Sequence, residues 1–213
     1  MAISRSEIEK ITRRVLGDLE RRPPGGGSVE APTPGLHGLF ANVDDAVAAA
    51  AQAQRDLVER SLSIRYDMVA QMRVSMRHNA QLLSWMAREE TGLGRYETKI
   101  EKNLLVTNKT PGPEDLEPLV NTGDHGLTLT ELAPYGVVAS ITPTTNPTAT
   151  IINNTIGILS AGNSVVYNPH PNAKNCSAKT VQLLNQAVRA AGGPENLITC
   201  VADPTIESAQ ALM

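Results

Sequence analysis

Two short polar loops carry the residues that could do chemistry. Residues 142–147 read Thr-Pro-Thr-Thr-Asn-Pro, residues 168–171 read Asn-Pro-His-Pro, and each loop follows a short apolar segment. Ligands of parallel sheets bind beyond the carboxyl ends of the strands, so both loops are predicted to face a ligand. No Gly-x-Gly-x-x-Gly motif follows a strand, which argues against the usual dinucleotide phosphate grip. A helix N-terminus behind either loop would still offer free N–H groups to a phosphate or a carboxylate.

The chain has 2 cysteines. Cys176 falls inside a predicted helix and Cys200 inside a predicted strand, so both are predicted to be buried, unreactive thiols. Two cysteines are too few for a disulfide scaffold, and these two lie too far apart for a zinc knuckle. No metal site is predicted.

The elements that position the two loops alternate between strand and helix. Strands are predicted at residues 137–141, 164–167 and 197–201, and helices at residues 147–161, at 173–191 and from residue 204. Asp203 is the predicted N-cap of the last helix, with Pro204 at its first position. Because crossovers between parallel strands are right-handed, this order predicts an α/β fold with a parallel sheet and helices on its faces. The first strand is uniformly apolar, which predicts that both of its faces are covered.

The residues before the sheet have a helical pattern. Asn42 or Asp44 is predicted to cap a helix that runs to about residue 60. A second helix is predicted to end near Gly92, and a third to span residues 95–106.

A segment of irregular composition separates these helices from the sheet. Residues 107–126 are rich in Pro, Gly and Asp and are predicted to form an irregular connection. Residues 127–132 alternate apolar and polar side chains, which predicts a half-buried strand.

The first 41 residues differ in composition from the rest. Residues 1–22 are predicted to form an amphipathic helix, and residues 23–41, rich in Pro and Gly, a flexible linker. The apolar stripe of the helix consists of Ile8, Ile11, Val15 and Leu19. A tethered helix of this kind either docks on another protein or folds back on its own domain, and the pattern leaves both open. A membrane-surface helix is less favoured, because acids and bases are mixed on the polar face.

The overall composition excludes several classes of protein. With 213 residues and 41% hydrophobic residues, the chain can build one large domain or two small ones, so it is not disordered throughout. A net charge of −3 and 3% aromatic residues argue against a nucleic-acid surface. No apolar stretch is long enough to span a membrane, and the charged N-terminus is unlike a signal peptide, so a soluble intracellular protein is predicted.

Three segments resemble the CoA-acylating aldehyde dehydrogenases of bacterial microcompartments. They are residues 89–103 (EETGLGRYETKIEKN), 134–171 (PYGVVASITPTTNPTATIINNTIGILSAGNSVVYNPHP) and 192–210 (GGPENLITCVADPTIESAQ). The resemblance runs from about Asn42 to Met213, with TPTTNPT, NPHP and GGPEN in the family's order. It implies an aldehyde dehydrogenase-like fold with a helical part over residues 42–126, a strand of an oligomerisation element over 127–133 and an incomplete Rossmann-like nucleotide domain over 134–213.

The resemblance also implies a reaction. A cysteine thiolate would attack a short aldehyde, NAD would take the hydride, and coenzyme A would take the acyl group. Asn146 would stabilise the oxyanion, or Thr145 if the correspondence shifts by one position. The alternative is that Asn146 only caps the helix that follows. In the family the nucleophilic cysteine belongs to a domain after the nucleotide domain, so this chain is expected to stop before it and to be inactive alone.

The same resemblance implies a set of cofactor-binding residues. They are Thr142, Pro143, Thr144, Asn168, His170, Pro171, Gly193 and Pro194. The groove they line is expected to hold NAD first and coenzyme A after NADH leaves. Two alternatives stay open, because NPHP could be a stiff connection and Gly-Gly-Pro an ordinary helix stop.

Partners and location follow from the resemblance as well. Residues 4–21 are similar to encapsulation peptides, which implies binding to shell or cargo proteins in the lumen of a cytoplasmic microcompartment. The full-length relatives imply a homo-oligomer in which the partner of strand 127–132 lies beyond the chain end. The aldehyde is left open, and a non-catalytic assembly module or a bare nucleotide-binding module are alternative functions.

Overall fold

The computed structural model describes residues 37–213, so the helix predicted at residues 1–22 and most of the linker lie outside the described residues. The helices are α1 (Val43–Val58), α2 (Ser63–Thr91), α3 (Tyr96–Lys109), α4 (Pro147–Ser160), α5 (Lys174–Ala190) and α6 (Ile206–Leu212), with short 3-10 turns at Pro113–Asp115 and Pro171–Ala173. The strands are β1 (Leu39–Phe40), β2 (Leu119–Gly123), β3 (Gly126–Thr130), β4 (Val137–Thr142), β5 (Ser164–Pro169) and β6 (Ile198–Val201). Among these residues, no helix combines the length and the apolar character that crossing a membrane requires.

Four strands form a parallel sheet in the order β1-β6-β5-β4, which confirms the predicted α/β architecture. Every residue of β5 is buried. Its alternate side chains face opposite layers, because Val165 and Tyr167 pack into the core with α2, α4 and α5, whereas Val166 packs with α1. The prediction that β4 is covered on both faces is wrong, because it lies at the sheet edge and Ile141 is 49% exposed.

The first two helices begin and end close to their predicted positions. The Asn42 side chain accepts a hydrogen bond of 2.9 Å from the backbone N–H of Asp45, so Asn42 rather than Asp44 is the N-cap of α1. α2 ends where Gly92 adopts a φ of +67°, a conformation that glycine takes without steric cost.

The third helix ends at Lys109 rather than near residue 106. The Arg73 guanidinium donates to the backbone carbonyl of Thr107 at 2.6 Å and to that of Thr110 at 2.8 Å. These carbonyls lie at the end of the helix, where no further turn can supply N–H partners. The extra turn therefore depends on a side chain from α2, which local sequence cannot reveal.

The predicted linker over residues 23–41 is wrong at its end, because Leu39 and Phe40 form strand β1. The pairing with β6 is parallel: the N–H of Cys200 donates to the carbonyl of Gly38, and the N–H of Ala202 to that of Phe40, each at 2.8 Å. Leu39 is fully buried. The segment looked like a linker because its partner strand lies far away in the sequence.

The prediction of an irregular segment over residues 107–126 is also wrong in part, because residues 119–123 form β2. β2 pairs antiparallel with β3, and a partner strand beyond the chain end stays a prediction for the other edge of this hairpin. Both strands are exposed along their whole length, although a half-buried strand was predicted. The alternating pattern is real, but within the described residues nothing covers the apolar face of this hairpin.

The last helix begins later than predicted. α6 starts at Ile206, and its N-cap is Thr205 rather than Asp203. Thr205 accepts from the N–H of Ser208 at 3.1 Å, and the Ser208 hydroxyl accepts from the N–H of Thr205 at 2.8 Å. Asp203 is thereby free to pair with a side chain of another element.

Candidate functional site

The two predicted loops meet at one edge of the sheet. β4, β5 and β6 run parallel, so the residues that follow them lie at their common carboxyl edge. The backbone N–H of His170 donates to the carbonyl of Thr142 at 3.0 Å, which fixes the second loop against the first. The loop after β6, residues 202–205, adds a third segment to this edge.

The first loop offers a buried hydroxyl and two more open residues. Thr142 is 2% exposed, and its Oγ1 has no hydrogen-bond partner among residues 37–213. Pro143 is exposed and Thr144 half-buried. A buried hydroxyl without a partner carries a desolvation cost, which a ligand at this edge would relieve.

Two lysines of α3 hold the far end of this loop. Lys102 Nζ donates to Asn146 Oδ1 at 2.6 Å, and Lys99 Nζ donates to the carbonyl of Thr145 at 3.3 Å. Burial lowers the pKa of Lys99, and the charge of Lys102 lowers it further. Sequence reasoning missed both lysines, because α3 lies more than 40 residues before the loop.

The Asn146 amide is oriented by this contact. An ammonium has only donors, so Lys102 selects the amide oxygen and leaves the Nδ2 hydrogens for another acceptor. One Nδ2 hydrogen makes a long hydrogen bond of 3.4 Å to Thr145 Oγ1, which leaves the second Nδ2 hydrogen for a ligand. Asn146 occupies the N-cap position of α4, but its side chain makes no capping hydrogen bond. The interpretation of Asn146 as only a helix cap is therefore wrong.

The residues of the second loop differ in accessibility. Asn168 is 3% exposed and lies inside β5, and its Oδ1 accepts from the Ser208 hydroxyl at 2.6 Å. His170 and Pro171 are exposed. His170 Nδ1 accepts from the N–H of Asn172 at 3.1 Å, so in the neutral ring the proton lies on Nε2, which can donate to a ligand.

The N-terminus of α5 is already occupied. The Glu90 carboxylate of α2 accepts from the N–H of Asn175 at 2.8 Å and from the N–H of Cys176 at 2.7 Å. A carboxylate is the natural partner of the positive end of a helix. This helix end is therefore unavailable to a phosphate, contrary to one possibility left open by the sequence.

An ion pair joins the start of α5 to the loop after β6. Lys174 Nζ lies 2.6 Å from Asp203 Oδ1, and both side chains are substantially exposed. The hydrogen bond to Asp203, together with its charge, raises the pKa of Lys174. Neither residue was singled out for chemistry in the sequence.

A groove elsewhere on the surface does not coincide with the predicted ligand edge. It runs beside the outer edge of β4 and α4 and includes Tyr135, Val138, Gly157, Ile158 and Asn163. Tyr135 and Asn163 precede β4 and β5, so the groove reaches the amino end of these strands. It contains none of the predicted site residues.

Comparison with known proteins decides the family. The sequence profile of the aldehyde dehydrogenase family matches residues 37–213. This chain belongs to the aldehyde dehydrogenase family. It is similar to the acetylating acetaldehyde dehydrogenase of Escherichia coli (strain K12), with 48% identity over 212 residues, covering 99% of this chain and 44% of that protein. The propanal dehydrogenase (CoA-propanoylating) of Salmonella typhimurium is 38% identical over 209 residues, covering 98% of this chain and 44% of that protein.

Solved aldehyde dehydrogenase structures match the fold. The propionaldehyde dehydrogenase of Rhodopseudomonas palustris, with bound CoA and an acylated cysteine, superposes with a TM-score of 0.80 and 48% identity, over 82% of this chain and 40% of that one. An engineered glycolyl-CoA reductase with bound NADP+ gives a TM-score of 0.80 and 47% identity over the same shares. The chain thus spans less than half the length of these relatives.

Two predicted cofactor residues of this aldehyde dehydrogenase chain lie away from the site. Gly193 and Pro194 connect α5 to the start of β6, so they lie at the amino edge of the sheet. Gly193 has no room for a side chain, because an added Cβ would collide with Met68 and Val188. Their role as nucleotide contacts stays a prediction, and Gly192 ends α5 with a φ of +83°, as the alternative of a helix stop expects.

Neither cysteine of this aldehyde dehydrogenase chain is placed to act as a nucleophile. Cys176 and Cys200 are both fully buried, which confirms the prediction of buried thiols. Burial raises the pKa of Cys200 to about 12. Burial, and then the charge of Glu90, raise the pKa of Cys176 well above its ordinary value. At neutral pH both are thiols rather than reactive thiolates.

Proposed function

We propose that this chain forms the amino-terminal part of a CoA-acylating, NAD-dependent aldehyde dehydrogenase that converts a short aldehyde to its acyl-CoA. The main support is the 48% identity to an acetylating acetaldehyde dehydrogenase over 99% of the chain. The carboxyl edge of the sheet would hold the nucleotides, and a cysteine outside residues 1–213 would be the nucleophile.

The carboxyl edge has the chemistry that such a nucleotide site needs. Thr142 has a buried hydroxyl that lacks a partner within residues 37–213, and His170 presents a ring N–H on an exposed side chain. When bound, NAD accepts a hydride and coenzyme A accepts the acyl group. The chain's own part in this proposal is to bind and orient them and to hold hydrogen-bond donors at the reacting oxygen.

Asn146 supplies those donors in this proposal. When a thiolate adds to an aldehyde, the carbonyl oxygen becomes an oxyanion, and amide N–H groups stabilise it. Because the amide oxygen of Asn146 accepts a hydrogen bond from Lys102, Nδ2 is the atom that donates to the oxyanion. Thr145 is the alternative donor, one position earlier.

The proposed nucleotide edge can be tested on the 213-residue chain. We expect NAD and coenzyme A to bind competitively in calorimetric titrations, because both place an adenosine diphosphate at the same edge. Replacing His170 by Ala should weaken both by about three- to tenfold, the size of one lost polar contact. His125→Ala is the matched control, since His125 is also exposed but lies in the hairpin turn. Independent binding of the two nucleotides, or none, would leave a non-catalytic assembly module as the better function.

We also propose that the protein works in the lumen of a bacterial microcompartment, as a homo-oligomer. Residues 4–21 would bind shell or cargo proteins. The hairpin of β2 and β3 would contribute to the oligomer, because Leu119, Val120, Leu127 and Leu129 are each more than half exposed on it.

Deleting residues 1–22 should abolish co-purification with shell proteins. Folding should be unaffected, because the sheet and its helices lie within residues 37–213. Pull-down with shell proteins and thermal melting of both chains provide the measurements. Unaltered shell association after the deletion would remove the role proposed for this segment.

A further inference from the structure

Lys174, at the start of α5, and Asp203, in the loop after β6, form an exposed ion pair. Their Nζ and Oδ1 atoms lie 2.6 Å apart, and the side chains are 41% and 79% exposed. Lys174 is the first residue of α5, and Asp203 lies two residues after the end of β6. Both residues therefore lie at the carboxyl edge of the sheet, beside the second loop, residues 168–171.

The fold does not depend on this pair. Exposed ion pairs contribute little to stability, because water and salt screen them. The N-terminus of α5 already has Glu90 as its partner, and α6 is capped by Thr205 with Ser208. Neither helix needs Asp203 or Lys174 for its ends.

Lys174 lies near two carboxylates. Asp203 is paired with its ammonium and Glu90 accepts from the N–H groups at the start of α5, and both charges raise the pKa of Lys174. Its ammonium can only donate hydrogen bonds, so it calls for an anionic partner. Asp203 supplies that partner in the structure, but from an exposed position where a ligand could displace it.

NAD and coenzyme A differ in charge at the adenosine ribose. Both contain adenosine diphosphate, but coenzyme A carries a phosphate on the 3′ oxygen where NAD has a hydroxyl. If the carboxyl edge binds both nucleotides, a cation there can pair with the 3′-phosphate of coenzyme A. When NAD is bound, a carboxylate of the protein must neutralise the same cation. The pair of Lys174 and Asp203 has this property.

We propose that Lys174 binds the 3′-phosphate of coenzyme A, exchanging Asp203 for the phosphate when coenzyme A replaces the nicotinamide nucleotide. This inference rests on the proposed function, because it requires the coenzyme A adenosine at the carboxyl edge. It gives Asp203 a defined part: the carboxylate competes with the phosphate for the same ammonium. Removing the lysine and removing the aspartate must then change coenzyme A affinity in opposite directions.

The test is a set of calorimetric titrations of the 213-residue chain with coenzyme A, 3′-dephospho-coenzyme A and NAD. Lys174→Gln should weaken coenzyme A by about three- to tenfold and leave the other two ligands unchanged. Asp203→Asn should strengthen coenzyme A by about two- to threefold, because the ammonium no longer has to leave a carboxylate. Lys179→Gln removes a charge from the same helix and should change none of the three affinities.

Several outcomes would overturn the inference. Equal weakening of coenzyme A and its 3′-dephospho form by Lys174→Gln would mean that the lysine does not contact the phosphate. Weakening by both Lys174→Gln and Asp203→Asn would mean that the pair acts only through structure. In either case competitive binding of NAD and coenzyme A would leave the proposed nucleotide edge intact. A wild-type chain that binds neither nucleotide would overturn that edge and the phosphate contact together.

Discussion

Replacing Asn146 by Ala is expected to slow aldehyde oxidation by about 100- to 1,000-fold, the usual cost of one lost oxyanion donor. The measurement requires residues 1–213 within a chain that also carries a nucleophilic cysteine. The expectation depends on the orientation of the amide. Lys102 Nζ, 2.6 Å from Oδ1, fixes the oxygen and leaves Nδ2 as a donor for an oxygen that becomes negative in the transition state.

Thr145→Ala is the variant to compare, because Thr145 is the alternative oxyanion donor. Thr145 is exposed, and its backbone carbonyl rather than its hydroxyl holds Lys99. We expect this substitution to change the turnover number less than tenfold, since it removes only the long hydrogen bond from Asn146 Nδ2 and leaves the contact between Lys102 and Asn146 in place. The Michaelis constant for NAD should stay unchanged in Asn146→Ala, because the donor acts on the reacting oxygen and not on the nucleotide. A larger loss for Thr145→Ala would transfer the oxyanion role to Thr145.

The parts of the fold that depend on local signals could be predicted from the sequence. Asn42, one of the two predicted caps of α1, and Gly92 at the end of α2 act within a few residues of their own position, and both end their helices in the structure. β1 could not be found, because Leu39 and Phe40 become a strand only through pairing with residues 200 and 201. The same holds for the extra turn of α3, which needs Arg73 from α2.

The candidate site could also be predicted from the sequence only in part. The two loops were predictable, because parallel strands bring their carboxyl ends together. Lys102, Glu90 and Lys174 were not, because each acts on an element distant in sequence. Gly193 is a different case: a loop from a helix to the next parallel strand lies at the amino edge, so the predicted order of elements already separates Gly193 from the two loops.

Gly38→Ala should be among the most destabilising single changes in the chain. Gly38 has a φ of +89°, which costs an L-residue about 1–2 kcal/mol. An added Cβ would also collide with the carbonyl oxygen of Ile198 and with Nδ2 of Asn185. Overpacking of this kind costs about 1–3 kcal/mol. We therefore expect a loss of about 2–5 kcal/mol in the free energy of unfolding.

Neither collision can be relieved cheaply. The Ile198 carbonyl belongs to the strand that pairs with β1, and it accepts a hydrogen bond from Asn185, which is 1% exposed. Asn185 also donates to the carbonyl of His37 at 3.1 Å, so moving its amide would loosen the start of β1 as well. The edge of the sheet is thus held by a glycine that the sequence assigns to a linker.

Gly92→Ala separates the backbone cost from the packing cost. Gly92 has a φ of +67°, but an added Cβ would meet nothing within 4 Å. Its expected loss is about 1–2 kcal/mol, and for a domain of this size each kcal/mol lowers Tm by about 2–4 °C. In thermal melting, Tm should therefore fall by about 4–20 °C for Gly38→Ala and by about 2–8 °C for Gly92→Ala. Equal shifts would show that β1 does not pack against β6 as closely as the hydrogen bonds of Gly38 and Phe40 require.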